Sequence, residues 1–202
     1  PQSPDVIDEP VLFAGMHTPH YGHLLTDGVS RLWCHEELRS CSRFFYQGLG
    51  ASVAEDHDLS RRILEAGGVD FSKRLHVARP TQFRRLRIPI PSMQSDRRIY
   101  TAHADFLAAA AKAMIGGTNT ESQPVYLSRS ALAPEQRGAN NEVELEDALT
   151  TRGVPVIHPE KLPLTEQLAL FNGRRMIASC SGSALHTIFF SMNRGEGMTL
   201  VN

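Results

Sequence analysis

A chain of 202 residues, 41% hydrophobic and 21% charged, is long enough for one large domain or two small ones, each with a real core. Its formal net charge of −1 leaves no global field to recruit nucleic acid or acidic membranes. With no run of about 18 apolar residues, the sequence encodes no membrane-spanning helix.

In chain order, Val11 to Ala14 predicts a short buried strand, and His20 opens a helix to about Leu38. Arg43 to Tyr46 reads as a second strand. Asp58 is an N-cap for a helix through Ala66, stopped by Gly67-Gly68. Leu75 to Ala78 and Leu86 to Ile88 read as strands, and Pro89 and Pro91 interrupt regular structure after them. Strands alternating with helices imply a parallel sheet, because parallel neighbours need crossover connections. This first α/β half spans residues 10–98. An alanine-rich helix, Tyr100 to Met114, connects the halves within 99–117 and is closed by Gly116-Gly117.

The second α/β half spans residues 123–202, after a polar linker at 118–124. Val125 to Leu127, Val154 to Ile157, Arg175 to Ala178 and Met198 to Val201 read as strands. Asn141 to Arg152, Thr165 to Asn172 and Ser183 to Met192 read as helices. The chain stops just after a strand, so this half is expected to be incomplete. It starts at Pro1 rather than Met, from which a processed terminus or an expressed fragment is expected. Cys34, Cys41 and Cys180 form no C-x-x-C pair, which argues against a disulfide framework or a cysteine-rich zinc site and suits a reducing cytosol.

The most informative segment is H-Y-G-H-L-L-T-D-G-V-S-R-L-W, beginning at His20. On a helix, His20, His23 and Asp27 share one face, while Leu24, Leu25, Val29, Leu32 and Trp33 form an apolar stripe for docking. An imidazole titrates near pH 6.5, and an adjacent carboxylate fixes its tautomer and raises its basicity. His23 and Asp27 make such a pair, with Arg31 one turn on to keep the carboxylate ionised. Three readings stand beside it: structural histidines at a helix terminus, a metal site from His20, His23 and Asp27, and a plain surface ion pair of Asp27 with Arg31.

Two further signals lie in the second half. Arg129 ends the strand V-Y-L-S-R, where a parallel sheet presents ligand-binding groups, and its planar fork suits a phosphate. The alternative is an ion pair with Glu142. In I-A-S-C-S-G-S-A-L-H, a strand enters a small-residue turn at Ser181, Gly182 and Ser183 and then a helix whose first N–H groups favour an anion. The alternative is tight strand-to-helix packing. The basic stretch Arg79 to Arg98 reads as a solvated strand edge or a phosphate-facing patch. The literal D-x-D of Asp56-His57-Asp58 is better explained by capping and the helix dipole.

Taken in order, Y-G-H-L-L-T-D-G-V-S-R-L-W at 21–33, V-Y-L-S-R at 125–129, N-E-V-E-L at 141–145, P-E-K-L-P-L-T-E-Q-L-A-L-F at 159–171 and I-A-S-C-S-G-S-A-L-H-T-I-F-F at 177–190 resemble glycosyltransferase family 61. The resemblance implies two Rossmann-like halves with parallel sheets facing a cleft, the GT-B arrangement. It also implies inverting transfer of a hexosyl or pentosyl group from a nucleotide sugar, expected to be a UDP-sugar, to a glycan hydroxyl. No cofactor or metal is required by that reading. Tyr21, His23, Asp27 and Arg31 fall on the acceptor side by motif match, and Arg129, Glu142, Gln167, Ser181, Gly182, Ser183 and Ala184 on the donor side. Where the family often has Gly-x-His-Gly-Ala, this chain has Ser179 to Ser183, with Cys180 in place of histidine; His186 stands for a family asparagine.

The mechanism expected is that His23, oriented by Asp27, takes the acceptor proton, with His20 positioning the acceptor or sharing the base role. Arg129 and the N–H groups at 182–184 stabilise the departing diphosphate. The expected setting is cytoplasmic, with peripheral membrane contact and no nucleic-acid partner. The rivals are a metal-dependent hydrolase built on His20, His23 and Asp27, a non-catalytic nucleotide- or glycan-binding module, and a degenerate transferase.

Overall fold

The structure, a computed structural model, describes residues 3–17, 20–34, 41, 43–48, 58–94, 98–117, 121–133, 135, 140–193 and 199–201. The fold is mixed α/β with parallel sheets, and the chain divides into two compact units, Pro1–Ala110 and Ala111–Asn202.

In the first unit, strand β1 (Asp5–His17) lies between β2 (Arg43–Gly48) and β3 (Thr81–Arg87), and both pairings are parallel. The buried segment expected at Val11 to Ala14 is only the apolar half of a 13-residue strand. Its first half escapes a hydrophobicity reading because it is held by charge and backbone pairing instead. Arg79 binds Asp5 at 3.1 Å and Arg84 binds Asp8 at 2.7 Å, while Arg85 Nε donates to the Asp8 carbonyl at 3.0 Å. Those arginines therefore behave as a solvated strand edge; Arg97 lies outside the described residues.

The anticipated long helix after His20 is not formed. A single α-helical turn, α1 (Tyr21–His23), passes into a π-helical turn, Leu24–Gly28, closed by Val29 N–H donating to the Leu24 carbonyl at 3.0 Å. The wide turn lets Leu24, Leu25, Val29 and Leu32 all be buried, while Trp33 stays partly exposed. Residues 35–38 of the anticipated helix lie outside the described residues.

The strand anticipated at Leu75 to Ala78 is also absent. After a 3₁₀ turn at Phe71–Lys73, Arg74 makes one bridge to Phe44, Leu75 N–H donates to the Phe44 carbonyl at 2.6 Å, and the chain then leaves the sheet, with Leu75 and Val77 only half-buried. Helix α2 (Asp58–Ala66) forms over the expected span, while the capping expected of the Asp58 side chain lies outside what is described. A short hairpin that the sequence does not announce joins β4 (Met93–Gln94) to β5 (Arg98–Ile99). Helix α3 (Thr101–Ile115) comes next and ends at Gly116.

Between β3 and the hairpin, Pro89 and Pro91 cannot donate to a ladder; Arg31 and Trp33 take up carbonyls of this segment, and Ser92 in return donates to a carbonyl of the earlier one. Arg31 Nη1 donates to Pro89 O, Trp33 Nε1 donates to Ile90 O at 2.9 Å, and Ser92 Oγ donates to Ser30 O at 2.7 Å. Ser92 Oγ also meets Nδ1 of the buried His103 at 3.0 Å. Burial pushes the His103 pKa down from 6.5 to about 4, with a backbone hydrogen bond at Leu25 working the other way.

Between those two values the unfolded chain holds a proton that the folded chain refuses, so stability is lost as pH falls from about 6.5 to about 4. At 1.36 kcal/mol per pKa unit, the loss amounts to about 3 kcal/mol. Urea unfolding midpoints at pH 7 and pH 4.5 read this directly, and His103→Gln is expected to flatten the dependence.

In the second unit, β6 (Val125–Leu127), β7 (Val156–Ile157), β8 (Met176–Ser179) and β9 (Thr199–Val201) form a parallel sheet in the order β7-β6-β8-β9. Val125, Leu127, Phe171 and Ile177 make its core, with Ile157, Leu170 and Ile188 packed against it. Helix α4 (Glu142–Thr151) comes after β6 and helix α5 (Leu164–Gly173) precedes β8. The last helix, Ser183–Phe190, is 3₁₀ rather than α, in keeping with the branched and aromatic run T-I-F-F that crowds an α-helical turn. Among the described residues no helix is long and apolar enough to cross a membrane.

Candidate functional site

The first unit carries a cavity of about 660 Å³ where β1 and β2 end. Parallel strands leave such crevices at their carboxyl ends, because the connections part there. Phe13, Gly15 and Met16 come from β1 and Gln47 from β2, while Pro91, Met93 and Gln94 come from the segment tied down by Ser92. His23, Asp27, Ser30 and Arg31 complete the wall.

Within that wall His23 Nδ1 lies 3.3 Å from Asp27 Oδ2. The same oxygen accepts from Thr26 Oγ1 at 3.2 Å, so the carboxylate is fixed from a second side. His20 is the N-cap of α1: its Nδ1 accepts from His23 N–H at 3.5 Å, and the two imidazole centroids are 4.9 Å apart. Tyr21 is the half-buried first residue of the helix. The structure thus brings His20, His23 and Asp27 together, although through a cap and a π-turn rather than one face of a long helix. His23 remains open to solvent, with 64% of its side chain exposed.

Arg31 does not pair with Asp27. The π-turn removes the regular four-residue spacing, and the guanidinium turns away to Pro89 O and lies 5.5 Å from the Phe13 ring centroid. Desolvation in the wall lowers its pKa from the ordinary arginine value. Gly15 is in the left-handed region at φ 104°, where β1 is bulged, and that backbone conformation is what calls for glycine; the Arg31 stem packs beside it.

In the second unit Arg129 leaves the end of β6 and donates through Nη1 to Ser181 O. Its guanidinium lies against Gly182, where a Cβ would come within 2.8 Å of Nη1. Glu142, which is buried, receives the Arg129 backbone N–H at 3.0 Å and the Tyr126 hydroxyl at 2.9 Å. Glu142 thus meets Arg129 through a main-chain bond, where the alternative reading had an ion pair with its side chain, and the guanidinium faces the 181–182 turn. Burial raises the Tyr126 pKa, and its hydrogen bonds to Cys180 and Glu142 raise it further. Cys180 Sγ sits 3.3 Å from that hydroxyl.

Ser183 and Ala184 begin the 3₁₀ helix that Gly182 precedes, and no side-chain hydrogen bond caps it. Gln167 is elsewhere occupied: its Nε2 donates to Pro159 O at 2.9 Å and Leu162 O at 3.1 Å, bracing the turn before α5. His186 stacks on Phe189 with centroids 5.8 Å apart. Of the D-x-D, Asp56 and His57 lie outside the described residues. Among the described residues no group of three or more His, Cys, Asp or Glu side chains is placed to hold a metal ion.

Sequence reasoning missed Phe13, Gln47 and Gln94 as cavity walls and Tyr126 as the partner of Glu142. The pointer to Gln47 was present, since it directly follows the strand read at Arg43 to Tyr46 and strand ends line such crevices.

Among solved structures, the chain is similar to the iron-containing dodecameric glycosyltransferase TibC from enterotoxigenic E. coli H10407, with 12% identity and a TM-score of 0.44. It is also similar to the dodecameric iron-containing heptosyltransferase TibC in complex with ADP-D-beta-D-heptose, with 12% identity and a TM-score of 0.42. Each match covers 97% of this chain and 58% of the other, so the chain spans less than two thirds of those proteins. No match is found among curated proteins. The family model Glycosyltransferase 61 matches residues 21–199, and the chain belongs to glycosyltransferase family 61.

Proposed function

We propose that the protein transfers a sugar from a nucleotide-sugar donor, a UDP-sugar, to a hydroxyl of a glycan acceptor, with inversion and without a metal. The family membership supports the reaction class. The observation that carries the assignment of the base is the His23–Asp27 pair at 3.3 Å on the wall of a cavity at the strand ends. His23 takes the proton of the acceptor hydroxyl as that oxygen attacks the anomeric carbon, and Asp27 holds the imidazole in orientation. His20, whose ring lies tilted against that of His23, positions the acceptor, and Tyr21 lies on that side.

The second unit supplies the donor side. As the bond from sugar to diphosphate breaks, negative charge develops on the leaving oxygens. Arg129 and the N–H groups of Gly182, Ser183 and Ala184 stabilise it with fixed donors. Ser181 and Glu142 hold Arg129 in place through its side chain and main chain. Gln167 acts on this side only by bracing a turn. The GT-B arrangement implied by the family resemblance, cytoplasmic location and peripheral membrane contact are parts of the same proposal. The exposed Ile88 and Ile90 beside the basic strand β3 support the membrane contact.

The testing experiment is thermal unfolding with UDP, ADP, GDP and CDP, each with and without EDTA, and with zinc alone. A ligand that binds only the folded state raises its stability. Stabilisation by UDP above the others, unchanged by EDTA, is expected. Stabilisation by zinc alone would move the reading to a histidine metal site, and no response would remove donor binding from it.

A further inference from the structure

Arg31 has no carboxylate partner among the described residues, although it shares a cavity wall with Asp27. Oδ2 of Asp27 is turned to His23 and Thr26, so it does not neutralise the arginine. A guanidinium carries five N–H donors in a planar fork, and among the described residues Pro89 O is the acceptor provided for them. A partly desolvated cation without a counterion among the described residues favours an anion arriving from solution, and the fork matches two oxygens of one group.

We propose that the acceptor carries an oxyanion, a carboxylate or a phosphate, which docks on Arg31 while His23 takes the proton of a neighbouring hydroxyl. This rests on the transferase reading and names its acceptor class. Other features of the cavity fit a charged sugar. Gln47 and Gln94 offer amides for ring hydroxyls, and the faces of Phe13 and Met93 are apolar surfaces for the C–H side of a pyranose. Phe13 and Pro89 fix the guanidinium plane before any ligand arrives, so little rotamer freedom remains to be lost on binding.

The test is calorimetric titration of the full chain at low salt with methyl glucuronide, methyl glucoside, glucose 1-phosphate and glucose. Each charged probe is expected to bind about tenfold more tightly than its neutral counterpart, the difference shrinking as salt rises. Whichever charged probe shows the larger preference identifies carboxylate or phosphate as the source. Arg31→Gln is expected to erase the preference of charged over neutral probes, and Arg31→Lys to keep part of it.

Equal binding of charged and neutral probes by the unaltered protein, or no binding of either charged probe, overturns the proposal without any variant. A preference that survives Arg31→Gln also overturns it. UDP binding and donor turnover are read on the same samples. UDP binding without a charge preference defeats this inference alone. A charge preference that Arg31→Gln abolishes, in a protein without turnover, defeats the transferase reading and leaves the anion site standing.

Discussion

Replacing Asp27 by Asn is expected to lower sugar-transfer turnover on the order of 10²-fold while UDP affinity stays within about twofold. The carboxylate touches His23 at 3.3 Å and is fixed by Thr26, so the amide retains the shape and loses the charge that orients and stabilises the imidazole. His23→Gln is expected to show a loss at least as large. The double variant should be no slower than His23→Gln, because the two side chains act as one device. Turnover measured under saturating donor separates this from a binding defect. An Asp27→Asn enzyme at full rate would sink the assignment of His23 as the base. An additive double variant would mean that the pair is only a surface contact.

Replacing Arg129 by Ala is expected to weaken UDP binding by about 10–100-fold, since hydrogen bonds to charged groups contribute roughly 1.5–3 kcal/mol. The guanidinium can keep its bond to Ser181 O and still present other donors to a diphosphate. Arg129→Lys is expected to recover only part of the affinity, because it restores the charge and not the fork. Titration with UDP reads the effect. Unchanged affinity in Arg129→Ala would take this residue out of the phosphate site. A compensating reading, that the variant unfolds, is checked by its far-ultraviolet spectrum, since Val125, Leu127, Phe171 and Ile177 form the core apart from Arg129.

Much of the alternation of strands and helices was legible because buried runs such as Val125 to Leu127 and the stop at Gly116 are local signals. The His23–Asp27 contact was legible for the same reason: four-residue spacing brings two side chains together in an α-turn and here also in a π-turn. The path of the chain beyond Asp27 was not legible. The π-turn is stabilised by burying Leu24, Leu25 and Gly28 together, a tertiary effect without a sequence signature, and it sends Arg31 to Pro89 instead of Asp27.

Tertiary context also decided the donor side. Whether Arg129 would meet Glu142 through its side chain or its main chain depended on where the 181–182 turn lies, and the turn is brought to β6 by β8 pairing. Gln167 carried no mark to distinguish a ligand contact from the bracing of two carbonyls. The polar first half of β1 was invisible for a related reason: its partners, Arg79 and Arg84, are remote in sequence.

That central strand has a consequence for how the chain assembles. β1 is made first, yet both of its neighbours, at 43–48 and 81–87, are made later. As the polypeptide emerges, the turn at Leu24–Gly28 can pack on β1 early, but one ladder of β1 stays open until β2 arrives and the other until β3 does. Closing long loops before contacts can form makes such sheets slow to fold and prone to wrong pairing in the interval. An early ribosomal arrest before Arg87 would therefore release a chain with a bare template strand, and the vulnerable period in the life of this protein is its synthesis.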